Sequence, residues 1–144
     1  LCAVLSFSAI QNNDKIGLIF FSDRIEKFIP PKKGKSHILR IIRELIEFTP
    51  QHNRTNIAEA LQYLTSAIKK RSIAFLISDF LDSNFETALR IAAKKHDLVA
   101  IRVFDEREAV LPNVGLMRVR DAETDMPTWI DTANPETRAA YRSW

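Results

Sequence analysis

Apolar residues in this chain follow two rhythms. Short unbroken apolar runs alternate with longer stretches in which apolar side chains recur every third or fourth position. The run IAFLIS at 73–78 is the clearest of the first kind, and it stops abruptly in Ser78-Asp79. An apolar run rich in branched side chains, without alternation, is the pattern of a strand buried on both faces of a parallel sheet. KIGLIFF at 15–21 repeats it and ends in Ser22-Asp23; LVAIRVF at 98–104 repeats it and ends in Asp105. IEKFI at 25–29 instead alternates, and Pro30-Pro31 follow it. Alternation beside prolines suits a sheet edge. The short link from the preceding run predicts a hairpin, so this edge strand runs antiparallel. A second hairpin is expected from 114–120 and 127–131, turning through DAETDM.

The helical rhythm appears five times. In residues 1–12 Leu1, Val4, Leu5 and Ser8 share a face, and Asn12-Asn13-Asp14 stop the helix. Ser36 is placed to cap 37–48, with Ile38, Ile41, Ile42 and Leu45 on one side and Pro50 closing it. Asn56 is placed to cap 57–70, and Glu59 completes a capping-box-like pair. Ile57, Leu61, Leu64 and Ile68 form its stripe, and Lys69, Lys70 and Arg71 suit its C-terminal dipole. Ser83 and Glu86 predict a capping box for 84–96. Asn134 followed by Pro135 predicts a helix start in the tail.

The element order is α, β, β, α, α, β, α, β, hairpin, α. Strands alternating with helices predict an α/β fold, a mostly parallel sheet with helices on both faces. A leading helix in this layout is a crossover, so a strand is expected before it. The chain has 144 residues, 46% apolar and 27% charged, which fits one ordinary soluble domain. It begins at Leu1, so it is expected to be an excised piece whose targeting signal, if any, was removed. Its apolar runs are too short to span a bilayer.

Composition removes several chemistries. Cys2 has no internal partner, and His37, His52 and His96 are scattered, so no zinc-ligand spacing exists. Cys2 is expected to be buried in the first helix. Gly17, Gly34 and Gly115 are the only glycines, too few for a phosphate-binding loop. Ser22 and Ser78 lack the flanking glycines of a nucleophile elbow. The net charge is +3, and the densest basic cluster, Lys32, Lys33 and Lys35, reads as a solvated loop rather than a nucleic-acid contact. What remains is the set of strand-end carboxylates Asp23, Asp79 and Asp105. In parallel strands they would gather at one sheet edge, where open α/β sheets bind ligands. Carboxylates without basic partners suit a hard cation. Each also reads as an Asp capping the turn that leaves its strand. Thr55, just before a helix N-terminus, reads as a hydroxyl ligand or as a loop residue. Trp129 and Trp144 fit either the core or a cover on the hairpin.

KIGLIFFSD, the loop with Pro30-Pro31, RTNIAEAL and FLISDFLD, in that order, resemble the von Willebrand factor A domain. HDLVAIRVFDEREAVLPNVGLMRVRDAETD resembles the bacterial von Willebrand A-like family known as domain of unknown function fifty-eight. The resemblance implies a Rossmann-like sheet over residues 1–144, lacking its first strand and the metal loop after it. It implies a partial metal-ion-dependent adhesion site, with Thr55 and Asp79 as metal ligands and a D-x-S-x-S element preceding Leu1. Arg54 stands where the family has a glycine. Asp23 and Asp105 match positions that are not ligands there and return to turn-capping, as does Asp82. The implied cofactor is magnesium (Mg2+), or manganese or calcium, with an acidic side chain of a protein partner filling the open position. The implied role is non-enzymatic protein binding in the cytoplasm beside a MoxR-type AAA+ ATPase, in assembly or chaperone-like work. The alternative is a metal-dependent, nuclease-like hydrolase using Asp23, Asp79 and Asp82.

Overall fold

A computed structural model describes residues 1–105, 110–120 and 126–142. Its strands and helices are mixed along the chain. Among the described residues there are five helices and three two-stranded sheets, some parallel and some antiparallel. The chain forms two compact units. The first is Leu1–Ser72 with Asp82–Asp97, and the second is Ile73–Leu81 with the residues from Leu98 onward.

The first unit is built on the hairpin of β1 (Ile16–Phe21) and β2 (Ile25–Lys32). The two strands pair antiparallel, as the sequence predicts, with Leu18 opposite Ile29 and Ile19 opposite Phe28. β2 outruns the expected 25–29 and passes through both prolines to Lys32. An edge strand tolerates proline where its N–H would point to solvent. The register slips between Ile16 and Leu18, and Gly17 lies in that slip. A Cβ on Gly17 would stand 2.8 Å from the Ile29 carbonyl oxygen and 3.0 Å from Pro31, so the close approach needs glycine.

Two helices, α2 (Lys35–Glu47) and α3 (Ile57–Ala67), pack on this hairpin, and α1 (Cys2–Gln11) packs on α2. In α2 the expected core face is right, with Ile38 and Ile41 fully buried. Its start is not the expected one. Ser36 lies inside the first turn, and the N-cap is Gly34 at φ 105°, a conformation that costs other residues a clash. α3 begins where predicted: the Asn56 side chain accepts the Glu59 N–H at 3.0 Å. It ends three residues short of the expected 70, so Lys69, Lys70 and Arg71 lie beyond it. Tyr63 of α3 meets Phe28 of β2 edge to face, ring centroids 5.5 Å apart. α1 turns a different face inward than expected. Leu1 and Val4 are exposed, Cys2 is half-buried, and Ser6 is buried. The Ser6 hydroxyl donates to the Cys2 carbonyl one turn back, which satisfies it inside the protein. With no charged residue in α1, its sequence marks no outer face strongly.

α4 (Glu86–Lys95) also departs from its predicted cap. Phe85 is the N-cap and no side chain caps it, so Ser83 does not hold this helix. The Ser83 N–H is instead bound by Asp82, at 2.7 Å, and Asn84 takes a left-handed φ of 67° before the helix starts. After α4, His96 is buried. Its Nδ1 meets the Ser72 hydroxyl at 3.1 Å, and its Nε2 has no partner among the described residues. Burial lowers its pKa below the ordinary value, and the neighbouring Lys95 charge adds to this. An unfolded chain binds a proton at this residue below about pH 6.5, whereas the folded chain resists it. The unfolded state therefore holds more protons, and stability falls as pH drops from about 6.5 toward the lower folded pKa. Urea midpoints at pH 7.5 and 5.5 should show this decline, and His96→Asn should remove the part of it that lies just below 6.5.

In the second unit, β3 (Ile73–Ser78) pairs with β4 (Asp97–Arg102). The Asp97 N–H bonds the Ser72 carbonyl at one end and the Val103 N–H the Ser78 carbonyl at the other, so both strands advance together as a parallel pair. The expected burial of β3 on both faces is not found. Leu76 is buried, but Ile73 and Phe75 are exposed. An apolar strand is buried on both faces only where layers cover both, and β4 is its sole strand neighbour among the described residues.

β5 (Leu116–Arg120) and β6 (Pro127–Asp131) form the predicted second hairpin, with Arg118 opposite Trp129. Most of its turn, 121–125, lies outside the described residues, as does Trp144. Trp129 is exposed rather than in a core. Buried Thr132 locks the hairpin base: its hydroxyl donates to the Gly115 carbonyl and accepts the Val114 N–H at 3.0 Å. α5 (Pro135–Arg142) starts as predicted, with Asn134 accepting the Glu136 N–H at 2.8 Å.

Candidate functional site

Thr55 lies in the loop joining α2 to α3, and polar contacts hold that loop. The segment QHNRTN carries no apolar side chain that could anchor it by burial. Glu26 of β2 does the anchoring at its start. Both carboxylate oxygens accept the Gln51 N–H at 3.1 Å, and Oε1 also accepts the His52 N–H at 3.0 Å. Desolvation opposes the Glu26 charge. The Gln51 N–H, the Ser22 hydroxyl, the His52 N–H and the His52 charge outweigh it and hold the pKa below the ordinary value. At the loop's end the Asn56 N–H donates to the Ser22 carbonyl at 2.8 Å.

The start of α3 is then closed twice. Asn56 takes the Glu59 N–H, and Asp82 takes the Ile57 N–H at 2.7 Å. A carboxylate at a helix N-terminus satisfies an open donor and meets the positive end of the dipole. Thr55 itself is half-buried, and its hydroxyl makes no hydrogen bond to a described residue.

Asp79 belongs to the second unit and leaves β3 in a tight turn. Its Oδ1 accepts the Leu81 N–H at 3.2 Å and the Ser78 hydroxyl at 3.3 Å. This is the turn-capping role the sequence offered for it. Phe80, between them, has a left-handed φ of 60°, which a bulky residue rarely adopts. The Asp79 side chain is exposed, and its Oδ2 has no hydrogen bond to a described residue.

The remaining strand-end carboxylates differ. Asp23 accepts the Ser22 hydroxyl at 3.3 Å, the same local geometry as Ser78-Asp79. It also meets Arg24 at 3.4 Å and His52 at 3.9 Å. Asp105 is exposed in the second unit. In the first unit Asp82 is bound through both oxygens and Asp23 through Oδ1; in the second, Asp79 is bound through Oδ1 within its own turn. The loop-holding roles of Glu26 and Asp82 carry no local sequence signal, because their partners lie 25 or 26 positions away.

A hydroxyl and a carboxylate are the right kind of donors for a hard cation. They are too few to enclose one, and among the described residues no three His, Cys, Asp or Glu side chains converge to hold a metal ion. A divalent ion on Thr55 or Asp79 therefore needs further oxygen ligands from elsewhere.

These features define a mixed α/β protein in which Glu26 and Asp82 hold the ends of the Thr55 loop through backbone N–H groups. The chain belongs to the family described as "Protein of unknown function DUF58", whose model matches residues 1–144. It is similar to uncharacterized proteins of Mycobacterium bovis and Mycobacterium tuberculosis, each 29% identical over 125 residues, covering 85% of this chain and 39% of the relative. It is similar also to an uncharacterized protein of Mycobacterium avium, 33% identical over 100 residues, covering 67% of this chain and 59% of the relative. The chain thus spans about two fifths of the length of the first two. No solved structure matches it. Among the described residues no helix is long and apolar enough to cross a membrane.

Proposed function

We propose that this chain is a non-enzymatic protein-interaction module of the von Willebrand A type, with a Rossmann-like sheet in the complete protein. Thr55 and Asp79 are each ligands of a divalent cation, magnesium in the first place, and further oxygen ligands come from polypeptide outside residues 1–144. When bound, the cation supplies a Lewis-acidic position that a partner's acidic side chain can fill. The partner we propose is a MoxR-type AAA+ ATPase system, met in the cytoplasm.

The observation that carries this reading is the state of the two candidate ligands. Thr55 sits in a loop held at both ends, and neither its hydroxyl nor Asp79 Oδ2 has a hydrogen bond to a described residue, while Asp79 Oδ1 is held by its own turn. The other acidic groups favour binding over hydrolysis. A hydrolase reading needs Asp23 and Asp82 to share metal with Asp79. Asp82 spends both oxygens on the Ile57 and Ser83 N–H groups, and Asp23 is paired through Oδ1 with Arg24 and His52.

The test uses the full-length protein and a purified MoxR-type ATPase from the same organism. Association should need magnesium and vanish in EDTA. Thr55→Ala and Asp79→Ala should each weaken it at least tenfold with the circular dichroism spectrum unchanged. Association that survives EDTA and both substitutions would sink the metal-bridged mechanism.

A further inference from the structure

We propose that Glu26 is the positioning residue of Thr55: its carboxylate, fastened to the backbone of Gln51 and His52, sets the loop that presents the Thr55 hydroxyl to a divalent cation. The inference rests on the reading of Thr55 as a ligand.

Two consecutive backbone N–H groups converge on one carboxylate, with N···O distances of 3.0 and 3.1 Å. Successive amides arranged this way form an anion-binding concavity. Here the anion is a side chain from the neighbouring hairpin, so the contact fixes the loop's start to β2. The loop's end is fixed to the same hairpin, through the Asn56 N–H and the Ser22 carbonyl. Thr55 immediately precedes that second attachment. A polar loop pinned at both ends to one hairpin has few backbone conformations left, and the hydroxyl inherits that restriction. Glu26 itself is spent on amides and offers the cation nothing directly. Its effect passes entirely through the loop, as outer groups that orient metal ligands do.

The adjacent Lys27 provides the control. Its ammonium pairs with Glu44 of α2, and it has no hydrogen bond or ion pair to a described residue of the loop, so Lys27→Ala disturbs the same strand without removing the bonds to Gln51 and His52. The experiment measures manganese affinity by titration calorimetry on the full-length protein and its variants, with thermal midpoints alongside. Amide exchange at Gln51 and His52 is followed by NMR in the same samples. Glu26→Ala should weaken manganese binding about tenfold or more and speed exchange at both amides. Glu26→Gln keeps one carbonyl acceptor and should fall between it and the parent. Lys27→Ala should bind as the parent does, even where its thermal midpoint falls as far. If Thr55→Ala loses manganese while Glu26→Ala binds like the parent, the positioning role is overturned and the Thr55 ligand stands. If the parent and Thr55→Ala behave alike, the ligand reading fails and takes this inference with it. Should Glu26→Ala not fold, parent-like affinity in Glu26→Gln overturns the proposal.

Discussion

Ile57→Ala is expected to destabilise the protein by about 2–5 kcal/mol, the range for truncating a fully buried aliphatic side chain. Ile57 is fully buried at the first position of α3. The substitution spares the local hydrogen bond, because the N–H that Asp82 accepts belongs to the backbone. Alanine also suits a helix at least as well as isoleucine. The whole loss therefore reports side-chain burial and the cavity left behind. Urea denaturation followed by circular dichroism should show a lower midpoint with an unchanged slope. A loss below about 1 kcal/mol would mean that this position is not part of a packed core.

Gly17→Val should have the second-largest effect. The added Cβ meets the Ile29 carbonyl oxygen at 2.8 Å, and that oxygen belongs to the partner strand's backbone. It cannot swing aside as a long side chain can, so the hairpin has to open at its register slip. Pro31 at 3.0 Å blocks the other direction. Overpacking of this kind costs about 1–3 kcal/mol, and branching at Cβ adds volume where none is free. The thermal midpoint should fall clearly, and Gly17→Ala should show a smaller drop of the same sign. A variant as stable as the parent would show that the strands can separate here at no cost.

What the sequence reveals and what it hides divide along the range of the interaction involved. Asn56 and Asn134 cap helices that begin one residue later, so both starts are legible from a few adjacent positions. Both hairpins are legible for the same reason, since each pairs a run with the next one. Ser36 and Ser83 look equally good as caps, yet neither acts as one. Gly34 adopts a backbone that ends the preceding loop earlier, and Asp82 reaches past Ser83 to a different helix. The buried face of α1 is not legible because its apolar residues lie all around it, and Ser6 satisfies its hydroxyl on its own helix. β3 reads as buried on both faces because its side chains are uniformly apolar, but burial depends on what is laid against a strand. For the site, Thr55 and Asp79 stood out through a resemblance and through position at element ends. Glu26 did not, because a glutamate in an edge strand has no mark that separates it from a solvated one. Its two amide partners become visible only in three dimensions.

The cap that Asp82 places on α3 has a consequence for the order in which the chain can fold. Ile57 and Asp82 are 25 residues apart, so this contact forms only after a loop of that length has closed. The Asn56 cap, by contrast, is available as soon as the local turn forms. Early in folding α3 should therefore be a helix with one donor satisfied and a frayed first turn. The Ile57 donor is satisfied only when the segment after β3 arrives. On a ribosome this means that α3 waits for residues made later, and a nascent chain released before Asp82 emerges keeps the Thr55 loop next to an open helix end.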